Sequence, residues 1–290
     1  MNIQNSTFGD KTPRDELKAL LASKELFIFD LDGTLFNTLG DLAPAVNYAM
    51  TQFGLHTHSN DDVRTFIGNG SMNLIRRAVA ANFIPVASTR DMEKVAETLA
   101  REGYNEEKIK EIHKVYSEYY WEHCTENTEP YEGVIELVRR IAVLNREGNR
   151  KAINRNENRA AINRDRNCIE CNKNRAETRC AAMLTNKPVA PAEKILKKFG
   201  LENSFATYLC GDTTPERKPS PAGIYEILRQ TGITPEKAIM IGDDTPDVLA
   251  AKNAGIDCIT LFEGFGKAEN LLPLEPRYTA GHIKDVAEFI

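Results

Sequence analysis

The feature that most restricts the fold is a pattern repeated from Pro130 to Leu261: a segment with helical spacing of its apolar residues, then a short apolar run, then a polar stop. The spacing predicts helices over 133–145, 190–199, 220–231 and 246–254, with strands ending at Thr185 and covering 207–210, 238–241 and 258–261. Strands that alternate with helices in this way pair in parallel, because each return crossing carries a helix onto a face of the sheet. An earlier strand, Leu26 to Phe29, follows a short amphipathic segment and runs into an acidic loop, FIFDLDGTL. From Asp41 to Cys124 only helical periodicity is present, as in Leu42, Val46, Ala49 and Met50 and again in Ile109, Ile112, Val115, Tyr116 and Tyr119. The expected architecture is α/β: a doubly wound parallel sheet built from 1–38 and 130–290, with an all-helical unit of about four helices, 39–129, inserted after the first strand.

Ligands of doubly wound sheets bind beyond the carboxyl ends of the strands, so the polar stops are the candidate site. The first carries Asp30 and Asp32, two carboxylates that can face one pocket, with Gly33 allowing the turn before Thr34. One carboxylate can attack phosphorus while the other handles the leaving-group proton. The second stop offers Thr185 and Asn186 as hydrogen-bond donors to phosphoryl oxygens. Lys218, in ERKPSPAGI, supplies an ammonium that balances transferred and nucleophilic charge. The fourth, IMIGDDTPDVLAAKNAG, clusters Asp243, Asp244 and Asp247. Carboxylates so grouped repel one another unless a hard cation joins them, and magnesium suits oxygen ligands.

In this order, DLDGT, the strand-end Thr185, KPSP and GDDTPD resemble the four motifs of the haloacid dehalogenase superfamily, and the helical insertion is similar to that family's C1-type cap. The resemblance implies a phosphatase in which Asp30 becomes phosphorylated and Asp32 serves as acid and then base. Thr185, Asn186 and Lys218 would hold the phosphoryl group. Magnesium would be bound by Asp30, the Asp32 carbonyl and Asp243, with Asp247 and Asp244 behind them. The second aspartate argues against a dehalogenase, since a departing halide needs no acid. Within the family, VRTFIGNGSMNLIRRA (63–78) resembles phosphoglycolate phosphatases. The Gly68-Asn69-Gly70 turn entering a helix suits an anion, and Arg64, Arg76 or Arg77 could meet a substrate carboxylate. Asn37 departs from the aspartate common in relatives but can still cap the next helix. The expected substrate is a small phosphomonoester, 2-phosphoglycolate first. Pyrophosphatase, sugar-phosphate phosphatase and nucleotidase activities are alternatives, and a phosphomutase is a more distant one.

The rest of the chain limits partners. A net charge of −5 over 290 residues argues against a general nucleic-acid or membrane-surface binder. The first eleven residues are polar, and no run approaches the roughly 18 apolar residues of a membrane span. The expectation is a cytoplasmic enzyme with no obligate protein partner. One segment stands apart: 149–179 contains a tandem nine-residue repeat, NRKAINRNE then NRAAINRDR, with nine basic and four acidic side chains. It is expected to be disordered or weakly helical, and it carries the one nucleic-acid-binding alternative. Cys168, Cys171 and Cys180 offer three thiols with no nearby histidine, short of a closed zinc site. Cys124, Cys210 and Cys258 read as reduced thiols in or beside apolar runs, and His56 and His58 as exposed polar residues.

Overall fold

The computed structural model describes residues 13–142, 179–214 and 216–290. The repeat up to residue 178, with Cys168 and Cys171, lies outside the described residues. Six strands form one parallel sheet: β1 (Leu26–Phe29), β4 (Cys180–Leu184), β5 (Thr207–Leu209), β6 (Ala238–Gly242), β7 (Asp257–Leu261) and β8 (Tyr278–Ala280), in the order β5-β4-β1-β6-β7-β8. The chain winds one way from β1 through β4 to β5, then crosses to β6 and winds the other way. The order therefore reverses around β1, the place where a doubly wound sheet opens a crevice for ligand.

Period-two alternation explains why these strands are apolar throughout. Phe27, Phe29, Ala181, Met183, Ile239 and Ile241 pack on one face with α1 (Arg14–Ala22), α7 (134–142 as described), α8 (Val189–Lys198) and α12 (Ile283–Ala287). Leu26, Ile28, Ala182, Leu184 and Met240 pack on the other face with α9 (Ala222–Thr231) and α10 (Thr245–Ala254). Both faces are covered, so no polar alternation survives in the sequence. The doubly wound parallel sheet is thus as expected. β8 is an addition: it is a three-residue edge strand, too short to register as an apolar run.

Between β1 and β4 the chain forms α2 (Leu39–Gln52), α3 (Asn60–Phe66), α4 (Ser71–Ala80), α5 (Met92–Arg101) and α6 (Glu106–His123), with a 3₁₀ turn at Val86–Arg90. These helices pack around an apolar cluster of their own, including Val46, Phe66, Ile75, Val95, Ile112 and Tyr116. Ser59, Asp91 and Asn105 cap α3, α5 and α6. Five helices stand where about four were expected, because the capping residues break the periodic stretch more often than the apolar spacing reveals. His58 is half-buried rather than exposed: its Nε2 lies 2.8 Å from the Ala78 carbonyl and its ring meets Phe66 edge-on. Cys124 and Cys210 are buried free thiols, and Cys258 is partly buried.

Two connections join the helices to the sheet, and they pair with each other as short antiparallel strands, β2 (Phe36–Asn37) and β3 (Glu129–Pro130). Asp41, buried on α2, clamps them. One of its carboxylate oxygens accepts from Asn127 N at 2.7 Å, and the other from Thr128 N at 2.8 Å and Thr128 Oγ1 at 2.7 Å. Thr38, not Asn37, is the N-cap of α2; Asn37 stands one residue earlier and accepts a bond from Leu39 N at 3.3 Å.

Candidate active site

The polar stops converge beyond the carboxyl ends of β1, β4 and β6, the three central strands. Asp30 leaves β1 with its N–H bonded to the Ile241 carbonyl. The chain then turns tightly through Gly33 at φ +85°, closed by Gly33 N to Phe36 O at 2.9 Å. A Cβ on Gly33 would lie 2.2 Å from Asp243 Oδ2, so this turn needs glycine for space as well as for dihedral angle. Thr34 donates to Asp243 Oδ1 at 2.6 Å, and Phe265 N donates to Asp243 Oδ2 at 2.7 Å.

Lys218 lies at the centre. Its buried ammonium is 2.8 Å from Asp30 Oδ1 and 2.5 Å from Asp247 Oδ1. Burial disfavours its charge, but Asp247 and Asp30 outweigh that and raise its pKa. Asp247 Oδ2 accepts from the backbone N–H groups of Asp243 and Asp244, at 3.2 and 3.1 Å. Asp244 caps α10 in a capping box with Asp247. Asn186 binds the Lys218 backbone in both directions, Nδ2 to Lys218 O at 3.0 Å and Lys218 N to Oδ1 at 2.9 Å. Its side chain, expected on the phosphoryl group, fixes the lysine loop, and the residue also lines the cavity. Thr185 is buried at the end of β4, and its hydroxyl accepts from Lys187 N at 3.2 Å.

Charge in this floor is not balanced by its own residues. Asp30, Asp243 and Asp247 each place a carboxylate oxygen within 4.8 Å of the other two, against one ammonium. Burial raises Asp30 to about 7, partly offset by Lys218, and holds Asp243 well above the usual carboxylate range, with help from Asp247 and Asp30. Asp30 Oδ1 is buried without an aligned hydrogen bond, Lys218 being an ion-pair neighbour only. Both Asp247 oxygens are taken by Lys218 and backbone donors. Asp247 is charge-paired with the ammonium, whereas Asp243 Oδ1 accepts a single bond from the neutral Thr34 hydroxyl and Asp30 Oδ1 carries no aligned donor, so Asp30 and Asp243 keep lone pairs for a cation, and the donor set, all oxygen and net negative, fits a divalent one.

Asp32 is held differently. Lys187 Nζ lies 2.8 and 3.0 Å from its two oxygens, and Thr38 Oγ1 donates to Oδ1 at 2.6 Å. Neither partner was singled out in the sequence. The rule that strand ends carry the chemistry points to Lys187, two residues past Thr185, and to the glycine-flanked Phe265 after β7. Both sit in stretches with no charge cluster to draw attention.

The helical unit closes the cavity above. Its lining includes Gly68, Asn69 and Gly70, whose φ angles of +109°, +59° and +87° form the turn before α4. Gly68 packs on Asp244 and Gly70 on Arg217, too closely for a Cβ. Around them stand apolar Ile67, Leu74, Tyr116 and Tyr120, and a polar trio in which Ser71 Oγ lies 2.9 Å and Ser117 Oγ 3.4 Å from the His113 ring. The arginines expected to face substrate do not line this cavity. Arg76 pairs with Glu106 at 2.8 Å, and Arg64 lies over the Phe265 ring. Arg77 is buried, with Nη1 on the carbonyls of Phe66, Ile67 and Gly68. Arg77 thus braces the glycine turn and Arg76 ties α4 to α6.

A parallel sheet with nucleophile-grade carboxylates at its carboxyl edge and a helical cover defines a class of phosphoryl-handling hydrolase. Residues 24–255 match the family description of the haloacid dehalogenase-like hydrolases, and the chain belongs to that family. Among named relatives it is 29% identical over 253 residues to phosphoglycolate phosphatase of Psychrobacter arcticus, covering 87% of this chain and 90% of that one. It is 30% identical over 241 residues to phosphoglycolate phosphatase of Pasteurella multocida, covering 83% and 87%. A crystal structure described as a predicted phosphoglycolate phosphatase from Haemophilus somnus 129pt superposes with a TM-score of 0.68 at 26% identity, over 92% of this chain and 97% of that one. The protein is a phosphatase of this family, resembling the phosphoglycolate phosphatases. Among the described residues no helix is long and apolar enough to cross a membrane.

Proposed function

We propose that the protein hydrolyses 2-phosphoglycolate to glycolate and inorganic phosphate through phosphorylated Asp30, with magnesium held by Asp30, the Asp32 carbonyl and Asp243. The observation that carries this reading is Asp30 itself: a buried carboxylate at the end of β1, with one oxygen 2.8 Å from the Lys218 ammonium, lining a cavity beneath the helical unit. An Asp30 oxygen attacks phosphorus while the bond to the leaving alkoxide breaks, and Asp32 gives that alkoxide its proton. Asp32 then takes a proton from water as the water oxygen attacks phospho-Asp30. This releases phosphate and restores the free carboxylate.

Lys218 offsets charge on the nucleophile and on the transferred group, the Thr185 hydroxyl turns toward a phosphoryl oxygen, and Lys187 and Thr38 aim Asp32. When bound, the ion supplies the positive charge that one lysine leaves unmatched and polarises the phosphoryl group. Residues 39–129 act as the cap that excludes water during this exchange. The substrate choice draws on the names of the relatives and on a cavity that closes over a small ligand. Phosphate release measured over 2-phosphoglycolate, pyrophosphate, sugar phosphates and nucleotides tests it. A clear preference for 2-phosphoglycolate is the expected result, and a kcat/KM higher by tenfold or more on another compound would replace it.

A further inference from the structure

The cavity must accept a carboxylate beside an acidic floor if the substrate is 2-phosphoglycolate, and Arg64, Arg76 and Arg77 do not line it. Five aspartates line the cavity: Asp30, Asp32, Asp243, Asp244 and Asp247. Among the described lining residues two carry ammonium groups, Lys187 and Lys218. Lys218 is locked between Asp30 and Asp247 at the phosphoryl end. Lys187 stands at the leaving-group end, on the loop after β4, with only 6% of its surface exposed.

Resting on the reading above, we propose that Lys187 is the specificity residue that receives the substrate's carboxylate. Its Nζ spans both oxygens of Asp32 at 2.8 and 3.0 Å, and the Tyr120 ring of α6 lies 4.8 Å from it. Tyr116, one turn earlier, stacks on Tyr120 with centroids 5.7 Å apart. The ammonium is thus enclosed by the catalytic acid on the core side and by an aromatic wall on the cap side. Asp32 touches the leaving oxygen during proton transfer, so a group bonded to Asp32 lies one hydrogen bond from the first atoms of the leaving group. In a two-carbon leaving group the carboxylate oxygens are roughly 3 Å from the ester oxygen, which bond lengths fix. An ammonium has three N–H donors, and two directed at Asp32 leave one for a second anion. Low surrounding dielectric strengthens that contact and makes the lack of it costly to any tail that must lie among aspartates. The aromatic wall suits the methylene between the two charged ends.

The test compares 2-phosphoglycolate with ethyl phosphate, which has the same two-carbon tail without the carboxylate, on the magnesium-loaded wild type and on Lys187→Met, Lys187→Gln and Lys187→Arg. The ratio of kcat/KM for the two substrates should fall by about 20-fold or more in the Met and Gln variants, mainly through a higher KM for 2-phosphoglycolate, as expected for a lost charge-assisted hydrogen bond. Lys187→Arg should recover part of the ratio. Melting curves identify any variant that fails to fold, and either neutral variant suffices. Equal losses on both substrates with the ratio intact would show that Lys187 acts only through Asp32, and would overturn this assignment while leaving the substrate reading in place. A wild type with no preference for the carboxylate-bearing substrate would overturn both.

Discussion

Asp30 concentrates the chemistry and the cost of this site in one side chain. Burial raises its pKa to about 7 despite the adjacent ammonium, so in the metal-free protein its ionised form is held at a penalty. The folded value lies above the unfolded one, so this residue contributes most to stability below about pH 4, and the contribution is lost as pH rises through 7. Thermal melts in EDTA should therefore show the wild type losing several degrees relative to Asp30→Asn between pH 4 and pH 7.5, with magnesium removing the difference. A wild type that stays level with the variant across that range would contradict the assignment of an uncompensated buried carboxylate. Asp32 makes a separable prediction. Asp32→Asn should retain far more activity on p-nitrophenyl phosphate, whose leaving group needs no proton, than on an alkyl phosphate. Parallel losses on the two would count against Asp32 as the acid.

At the scale of elements, the short β2–β3 pairing and Asp41 decide how the helices sit over the sheet. Asp41→Ala leaves Thr128 and Asn127 donors without their buried acceptor and should cost about 2–4 kcal/mol, read as a lower melting temperature. Activity should also fall, because the glycine turn at Gly68–Gly70 would no longer be held against Asp244 and Arg217. Unchanged stability and turnover would mean that the clamp is incidental.

How far these elements could be read in advance follows from what each one buries. β1, β4 and β6 announce themselves because both of their faces are covered, and Asp30, Thr185 and Asp243 because polarity begins abruptly where those strands stop. β2, β3 and β8 escape notice because two or three residues carry no period. The arginines of 63–78 mislead because charge alone does not tell a ligand-facing guanidinium from one buried on carbonyls, as Arg77 is. Lys187 was overlooked for the converse reason: its partner, Asp32, is distant in sequence, and only the sheet brings them together.

For the whole molecule, the site lies at the carboxyl ends of the strands, and the described chain resumes at Arg179, at the amino end of β4. Cys180 opens β4 and Thr185 follows its end, so the chain re-enters the described fold about 17 Å from the phosphoryl end. Arg179 belongs to the fold: it donates to the Ile290 carbonyl and lies over the Phe27 ring. Deleting 149–178 while keeping Arg179 should leave kcat/KM within a few-fold and the melting temperature no lower, since shortening a connection costs little closure entropy. A hundredfold loss in a folded deletion variant would show that the segment serves the site. The central claim is that phosphorus passes through Asp30. The most direct measurement is an acid quench of the magnesium-loaded Asp32→Asn variant during turnover of p-nitrophenyl phosphate, followed by mass spectrometry of the peptide containing Asp30. The account predicts one phosphoryl group on that peptide, located at Asp30 and absent from the protein without magnesium. Sustained phosphate release with no phosphorylated peptide, or with the phosphoryl group on another residue, would contradict it.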